Sequence, residues 1–297
     1  MPIPRPLRLA VGLVLLAPAV AGCGGGDKPA FSSDRINIGF KGDRPGMSEF
    51  TDKGTYDGFE PHLATMVTGT IPVGDKRLSY TATPVTTANW QDALLDGQAN
   101  HNKADLVIAD VSERDDLKKE YDLAGPYLQT PLGVLLKADD TRVVGKAEDL
   151  KALRVCVSTG TTAEAQLNEI GGLPPVHGEN LTQCLARVDD GTADAVLSDY
   201  LVLKGVAANS GSNGRRAYRV ARDAHIGKTQ FLMMVLPKGH QKACEELRRA
   251  INDYLQTPDW MNSLRRYFDF APADFTDKEL RDTFQPITTS AGDRCSA

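Results

Sequence analysis

Short apolar runs recur along the chain, separated by stretches of helical period. Ile36 to Phe40, Leu78 to Thr81, Asp105 to Ala109, Arg154 to Val157 and Ala193 to Leu197 read as strands, with amphipathic segments between them. This alternation predicts an α/β chain with largely parallel sheets. Two further hydrophobic strands, Leu132 to Leu136 and Phe231 to Leu236, stand apart from the rhythm and bracket a long stretch of chain. A chain that leaves one lobe, builds a second and returns through a second crossing produces that pattern. The expected architecture is two lobes, each with a central sheet flanked by helices, joined by a two-strand hinge with a cleft between them. The boundaries that follow are 36–133 for the first part of lobe 1, 134–232 for lobe 2, and 233–297 for the return to lobe 1 and the C-terminal tail.

Ahead of the first strand the pattern changes. Arg5 and Arg8 precede a short apolar core, Leu9 to Ala17, and then Val20-Ala21-Gly22-Cys23. This is the arrangement of a lipoprotein signal, cut before the cysteine and leaving Cys23 acylated. An ordinary secretory signal with an incidental cysteine is the alternative. The apolar core is too short to span a bilayer, which takes about 20 residues. Gly24-Gly25-Gly26-Asp27 suits a flexible leash. Residues 1–22 are therefore expected to be removed, and 23–35 to tether the protein to the outer face of the cell membrane.

A formal charge of −5 over 297 residues, made more acidic by loss of Arg5 and Arg8, gives no preference for nucleic acid. The 41% hydrophobic content supplies packed cores for one or two domains. Beyond Cys23 stand Cys156, Cys184, Cys244 and Cys295, an even number for a compartment in which disulfides persist. Four cysteines allow three pairings. Cys156 lies in the strand Val155-Cys156-Val157, and Cys184 shares an apolar helical stripe with Leu181, Leu185 and Val188. Both face a local core, so they are expected to pair. Cys244 shares a helix face with Leu247, Ile251 and Leu255, and bonding it to Cys295 would pin the tail. Metal binding by these cysteines lacks the C-x-x-C spacing, and neither metal nor cofactor is expected.

Five segments carry a family resemblance. They are Ile38-Gly39-Phe40-Lys41-Gly42-Asp43-Arg44-Pro45-Gly46, Tyr56-Asp57-Gly58-Phe59-Glu60, Ala124-Gly125-Pro126-Tyr127, Ser158-Thr159-Gly160-Thr161-Thr162 and Asp194-Ala195-Val196-Leu197-Ser198-Asp199. In this order and spacing the chain, from about residue 36 to about 270, resembles the family 3 extracellular solute-binding lipoproteins of polar amino-acid ABC importers. It looks like the glutamate/glutamine-binding type found in actinobacteria. The resemblance implies the type II periplasmic-binding-protein fold, an amino-acid or amine ligand and an ABC permease as partner. It also implies a monomer that touches the membrane through its lipid anchor alone.

Candidate ligand residues follow from strand ends and helix starts. Thr161-Thr162-Ala163-Glu164 has capping-box spacing, yet a glycine turn opening a helix also suits an anionic ligand group. Thr161 and Thr162 are the lobe 2 candidates for that role. Asp199 follows a strand at its carboxyl end, where ligands sit in open α/β sheets. It is either an N-cap for the helix from Tyr200 or, as the resemblance implies, the partner of a ligand ammonium. Asp43 and Arg44 in the first motif join the ligand-facing set.

On the lobe 1 side, Ala109-Asp110-Val111-Ser112 ends a strand and should line the cleft, with Asp110 and Ser112 as ligand residues. Similar proteins place an arginine five positions later to clamp the ligand α-carboxylate. A gap-free alignment puts Leu117 there, with Arg114 three residues earlier either reaching in as a substitute or lying solvated at the surface. Trp90 stands where relatives that bind acidic amino acids often carry an arginine. It reads either as a core residue of a helix running to Leu95 or as an apolar wall for the ligand. With Asp110 favouring positive charge, these departures point to a neutral, aromatic or cationic ligand. Pro61-His62 also departs from the family pattern, and His62 reads as a helix surface residue.

The expected function is a lipid-anchored receptor that captures a small solute and closes by a hinge, without chemistry on the ligand. A sensory lipoprotein signalling to a membrane partner is the alternative. An enzyme on the same scaffold is a third reading. It lacks a Gly-x-Ser-x-Gly elbow, a His-Glu-x-x-His motif or a phosphate loop, so no residue is assigned a catalytic role.

Overall fold

The computed structural model describes residue 1 and residues 30–94, 103–211, 215–221, 226–272, 275–287 and 294–295. Cys23, the expected leader, the tether up to residue 29, and Leu95 lie outside the described residues. Among the described residues no helix is long and apolar enough to cross a membrane.

Among the described residues nine strands form the main sheet. They are β1 (Arg35–Lys41), β2 (Ser79–Val85), β3 (Leu106–Ser112) and β4 (Tyr121–Lys137), then β5 (Val155–Ser158), β6 (Val176–Gly178), β7 (Ala195–Asp199), β8 (Tyr218–Val220) and β9 (Ile226–Pro237). Their order is β6-β5-β7-β4-β9-β3-β1-β2, with β8 paired to β4. One parallel group, β2, β1 and β3, lies at one end, and a second, β6, β5 and β7, at the other. These are the two expected lobes. β4 and β9 join them, paired antiparallel from Tyr121 opposite Pro237 to Leu132 opposite Ile226. From Leu132 onward β4 pairs with β7 instead.

The crossing strands are longer than the apolar runs Leu132 to Leu136 and Phe231 to Leu236. Pro126 and Pro131 interrupt the sequence of β4, and proline lacks the N–H that a ladder needs. The register of β4 against β9 shifts twice, between the pairs at Ala124 and Leu128 and between those at Thr130 and Leu132. Each shift falls at a proline, so both are carried without breaking the strand.

Among the described residues nine α-helices clothe this sheet: α1 (Phe59–Thr68), α2 (Trp90–Leu94), α3 (Asp115–Glu120), α4 (Thr162–Ile170) and α5 (Leu181–Asp189), then α6 (Tyr200–Asn209), α7 (Gln241–Leu255), α8 (Pro258–Phe268) and α9 (Asp277–Phe284). Asn180 caps α5 through Gln183 N–H, and Thr276 with Glu279 forms a capping box on α9. α7 buries one face, Ala243, Cys244, Leu247 and Ile251 among it, as its period requires.

Disulfides join Cys156 of β5 to Cys184 of α5 and Cys244 of α7 to Cys295. The second bond holds the tail against the sheet. Arg294 donates to both carboxylate oxygens of Glu113, at 2.9 and 2.8 Å, and its carbonyl accepts the Leu123 N–H. Glu113 immediately follows β3, so the tail braces the strand end that faces the cleft.

The loop after β1 reaches across to α6. A Cβ at Gly205 would lie 1.9 Å from the Pro45 carbonyl oxygen, so only glycine lets the loop and helix meet. That contact seats the segment carrying Arg44.

Candidate functional site

Strand ends from both lobes converge on one cavity. β1 delivers Lys41, β3 delivers Asp110 and Ser112, and the turn after β3 delivers Arg114. From the other side, Gly160, Thr161 and Thr162 come from the start of α4, and Ser198 and Asp199 from the end of β7. Arg44, Thr87, Trp90 and Leu132 complete much of the wall. This is the crevice at the carboxyl ends of parallel strands in which α/β proteins hold ligands.

The structure brings Arg44, Trp90, Asp110, Ser112, Arg114, Thr161, Thr162 and Asp199 together at this cavity. Asp43 does not line it. Its carboxylate accepts from Arg44 Nη1 at 2.6 Å.

Asp110 lines the cavity but is already paired. Its carboxylate forms ion pairs with Lys41 Nζ and with Arg44 Nε, the latter at 3.0 Å. The acid expected to call for a cationic ligand is neutralised by the chain itself. Arg44 further donates to Thr87 Oγ1 at 3.2 Å. Lys41 was missing from the sequence candidates although it ends β1, the same placement that singled out Asp199.

Asp110 sits in the left-handed region, with φ 45°, where a non-glycine residue is strained. Its N–H donates to Glu60 Oε1 at 2.7 Å, and the Tyr127 hydroxyl donates to the same oxygen at 2.5 Å. Glu60 is fully buried in α1, and its second oxygen has no hydrogen-bond partner. Burial, then repulsion from Asp110, pushes its pKa up to about 7. Its sequence signal is an acid on a helix face otherwise made of Phe59, Leu63 and Val67.

Asp199 occupies the N-cap position of α6 but makes no side-chain capping bond. It is 7% exposed, and its Oδ1 has no partner. Burial first, then the charge of Asp110, raises its pKa to about 8 against the opposing pull of Lys41 and Arg44. A buried carboxyl without a partner is costly, and a cation placed beside it would remove the cost.

The start of α4 is organised by its own side chains. Thr161 Oγ1 donates to the Ser158 carbonyl at 2.7 Å and accepts the Glu164 N–H at 3.3 Å. Glu164 reaches back to the Gly160 N–H at 2.7 Å, one residue short of the expected reciprocal bond to Thr161. The N–H groups of Thr162 and Ala163 have no intrahelical acceptor at this position, and both residues line the cavity.

Arg114 crosses from one lobe to the other. It forks onto Asp116 at 3.1 and 3.0 Å and donates to the Gly160 carbonyl at 3.3 Å. Leu117 is 1% exposed and packs in a core with Trp90, Leu123 and Met233, so the aligned position does not face the cleft. Trp90 borders the cavity while its ring lies 5.7 Å from Tyr121 in that core. His62 is held by Asp259 at 2.6 Å and does not line the cavity.

This geometry has relatives of known kind. Glutamate-binding protein GluB of Corynebacterium glutamicum is 23% identical over 256 residues, which cover 81% of this chain and 84% of that protein. The probable histidine-binding protein of Neisseria gonorrhoeae is 23% identical over 269 residues, covering 88% and 94%. An ancestral arginine-binding protein bound to glutamine shares the fold with a TM-score of 0.67 at 20% identity, over 81% of this chain and 100% of that one. The family model for bacterial extracellular solute-binding proteins, family 3, matches residues 36–270, and the chain belongs to that family.

Proposed function

We propose that the protein is a lipid-anchored extracytoplasmic receptor that captures an amino acid or related small amine in this cleft and delivers it to an ABC importer. Lobe 1 comprises residues 36–133 and the return from 233, and lobe 2 comprises 134–232. Closure about β4 and β9 retains the ligand, and no bond of the ligand is made or broken. The observation that carries this function is Asp199, a buried carboxyl with an unpartnered oxygen facing a cavity between two lobes.

An ammonium group pairs with Asp199, where exclusion of water strengthens the attraction. The ligand's anionic group meets the α4 start at Thr161 and Thr162, with Ser112 and Arg114 at the facing edge. Trp90 supplies an apolar wall. Family membership supports solute capture ahead of catalysis, and the relatives named for glutamate and histidine support an amino-acid ligand.

Calorimetry with a panel of amino acids and amines tests the assignment. Asp199→Ala is expected to weaken binding by about 2 kcal/mol or more, about thirtyfold. Unchanged affinity would remove Asp199 from the site. Cys23→Ala is expected to release the protein from the membrane fraction.

A further inference from the structure

The cavity carries fixed charges that the two end groups of an amino acid do not call for, and these charges are already matched. Both oxygens of Asp110 are engaged, one by Lys41 and the other by Arg44. The remaining bonds of the Arg44 guanidinium go to Asp43 and Thr87. Lys41 is 5% exposed and Arg44 4%. Two buried cations forked around one carboxylate is how a protein grips a carboxylate ligand. Here the carboxylate belongs to the chain.

Asp110 cannot easily turn away from them. Its left-handed backbone is held by the bond from its N–H to Glu60, and Glu60 is held in turn by Tyr127. Strained backbone of this kind persists where the surroundings fix it.

We infer that Asp110 is an internal stand-in for a ligand side-chain carboxylate, so that it sets the charge class of the ligand, admitting neutral or cationic amino acids and refusing dicarboxylic ones. The inference rests on the proposed amino-acid ligand. An incoming side-chain carboxylate would find Lys41 and Arg44 already engaged and would approach the Asp110 carboxylate. Like charges repel strongly where water is excluded. Relatives named for glutamate and for histidine differ in ligand charge, so the discriminating group has to be sought in each pocket. In this one Asp110 holds that position.

The test replaces the stand-in. Asp110→Gly removes the carboxylate and suits the positive φ. Acetate is expected to raise the melting temperature of Asp110→Gly and not of the wild type, with chloride at equal ionic strength doing neither. L-glutamate is expected to bind Asp110→Gly at least about tenfold more tightly than the wild type. Adding Lys41→Met is expected to cancel both gains. If Asp110→Gly does not refold, Asp110→Asn keeps the side-chain shape without its charge and carries the glutamate comparison with the same expectation. Absence of acetate rescue, or equal glutamate affinity in variant and wild type while the wild type binds a neutral amino acid, overturns the inference. Acetate rescue without binding of any amino acid upholds the carboxylate site and overturns the amino-acid ligand instead.

Discussion

Tyr127 and Asp110 meet at a single atom, since the hydroxyl of one and the backbone N–H of the other both donate to Glu60 Oε1, at 2.5 and 2.7 Å. Tyr127 belongs to the crossing strand β4 and Asp110 to the cleft end of β3, so Glu60 of α1 ties the connection between lobes to the cavity wall. Tyr127→Phe leaves this oxygen with one donor fewer in a fully buried place. The expected cost is about 1–3 kcal/mol, read from chemical denaturation, with a parallel loss of ligand affinity. Wild-type stability in the variant would show that the bond contributes nothing.

Stability should fall as the solution becomes less acidic. Burial and the charge of Asp110 hold Glu60 at a pKa of about 7 and Asp199 at about 8 in the folded state. The unfolded chain releases both protons near the ordinary carboxyl values, about 4. The folded state therefore binds more protons through this window, and its advantage is lost as pH rises from about 4 to about 8. Each carboxyl contributes at most about 1.4 kcal/mol per pH unit. Melting curves of the ligand-free protein across the window check this, and Glu60→Gln or Asp199→Asn should flatten the slope.

Ligand affinity should run the other way. An ammonium pairs with Asp199 only once the carboxyl is ionised, so binding of an amino acid is expected to tighten as pH rises towards about 8. The limit is about tenfold per pH unit. Calorimetry in buffers of matched ionic strength reads the trend, and Asp199→Asn should abolish it. A pH-independent affinity in the wild type would place the ammonium elsewhere.

Cys244 and Cys295 close a loop with a sequence separation of 51. Cys295→Ser is expected to cost up to about 4 kcal/mol in the chain-entropy picture. It also loosens Arg294 from Glu113, the neighbour of Arg114. A weakened ligand affinity in the folded variant, measured well below its melting temperature, would report that second effect.

The strands were legible because each lobe builds its parallel group from short apolar runs, and Asp199 was legible because it ends one. Half of β4 was hidden by Pro126 and Pro131, whose accommodation depends on register shifts against β9 that no local pattern announces. The partners of Asp110 were hidden for a related reason. Lys41 and Asp110 are far apart in sequence and become neighbours only because β1 and β3 lie side by side in parallel. Leu117 followed from counting along an alignment without gaps, and the count does not reveal that its side chain turns inward to Trp90 and Met233. Glu60 could have been found as an acid on an apolar helix face. Tyr127 gave no such sign, because its partner is set by tertiary packing.

The two tryptophans of this chain have opposite surroundings. Trp260 is completely enclosed in α8, whereas Trp90 borders the cavity. The protein thus carries its own optical reporter: a shift in intrinsic emission on titration with a solute reports on Trp90, with Trp260 as a steady background. In Trp90→Phe that response should vanish while the background remains, which allows ligand screening without a label.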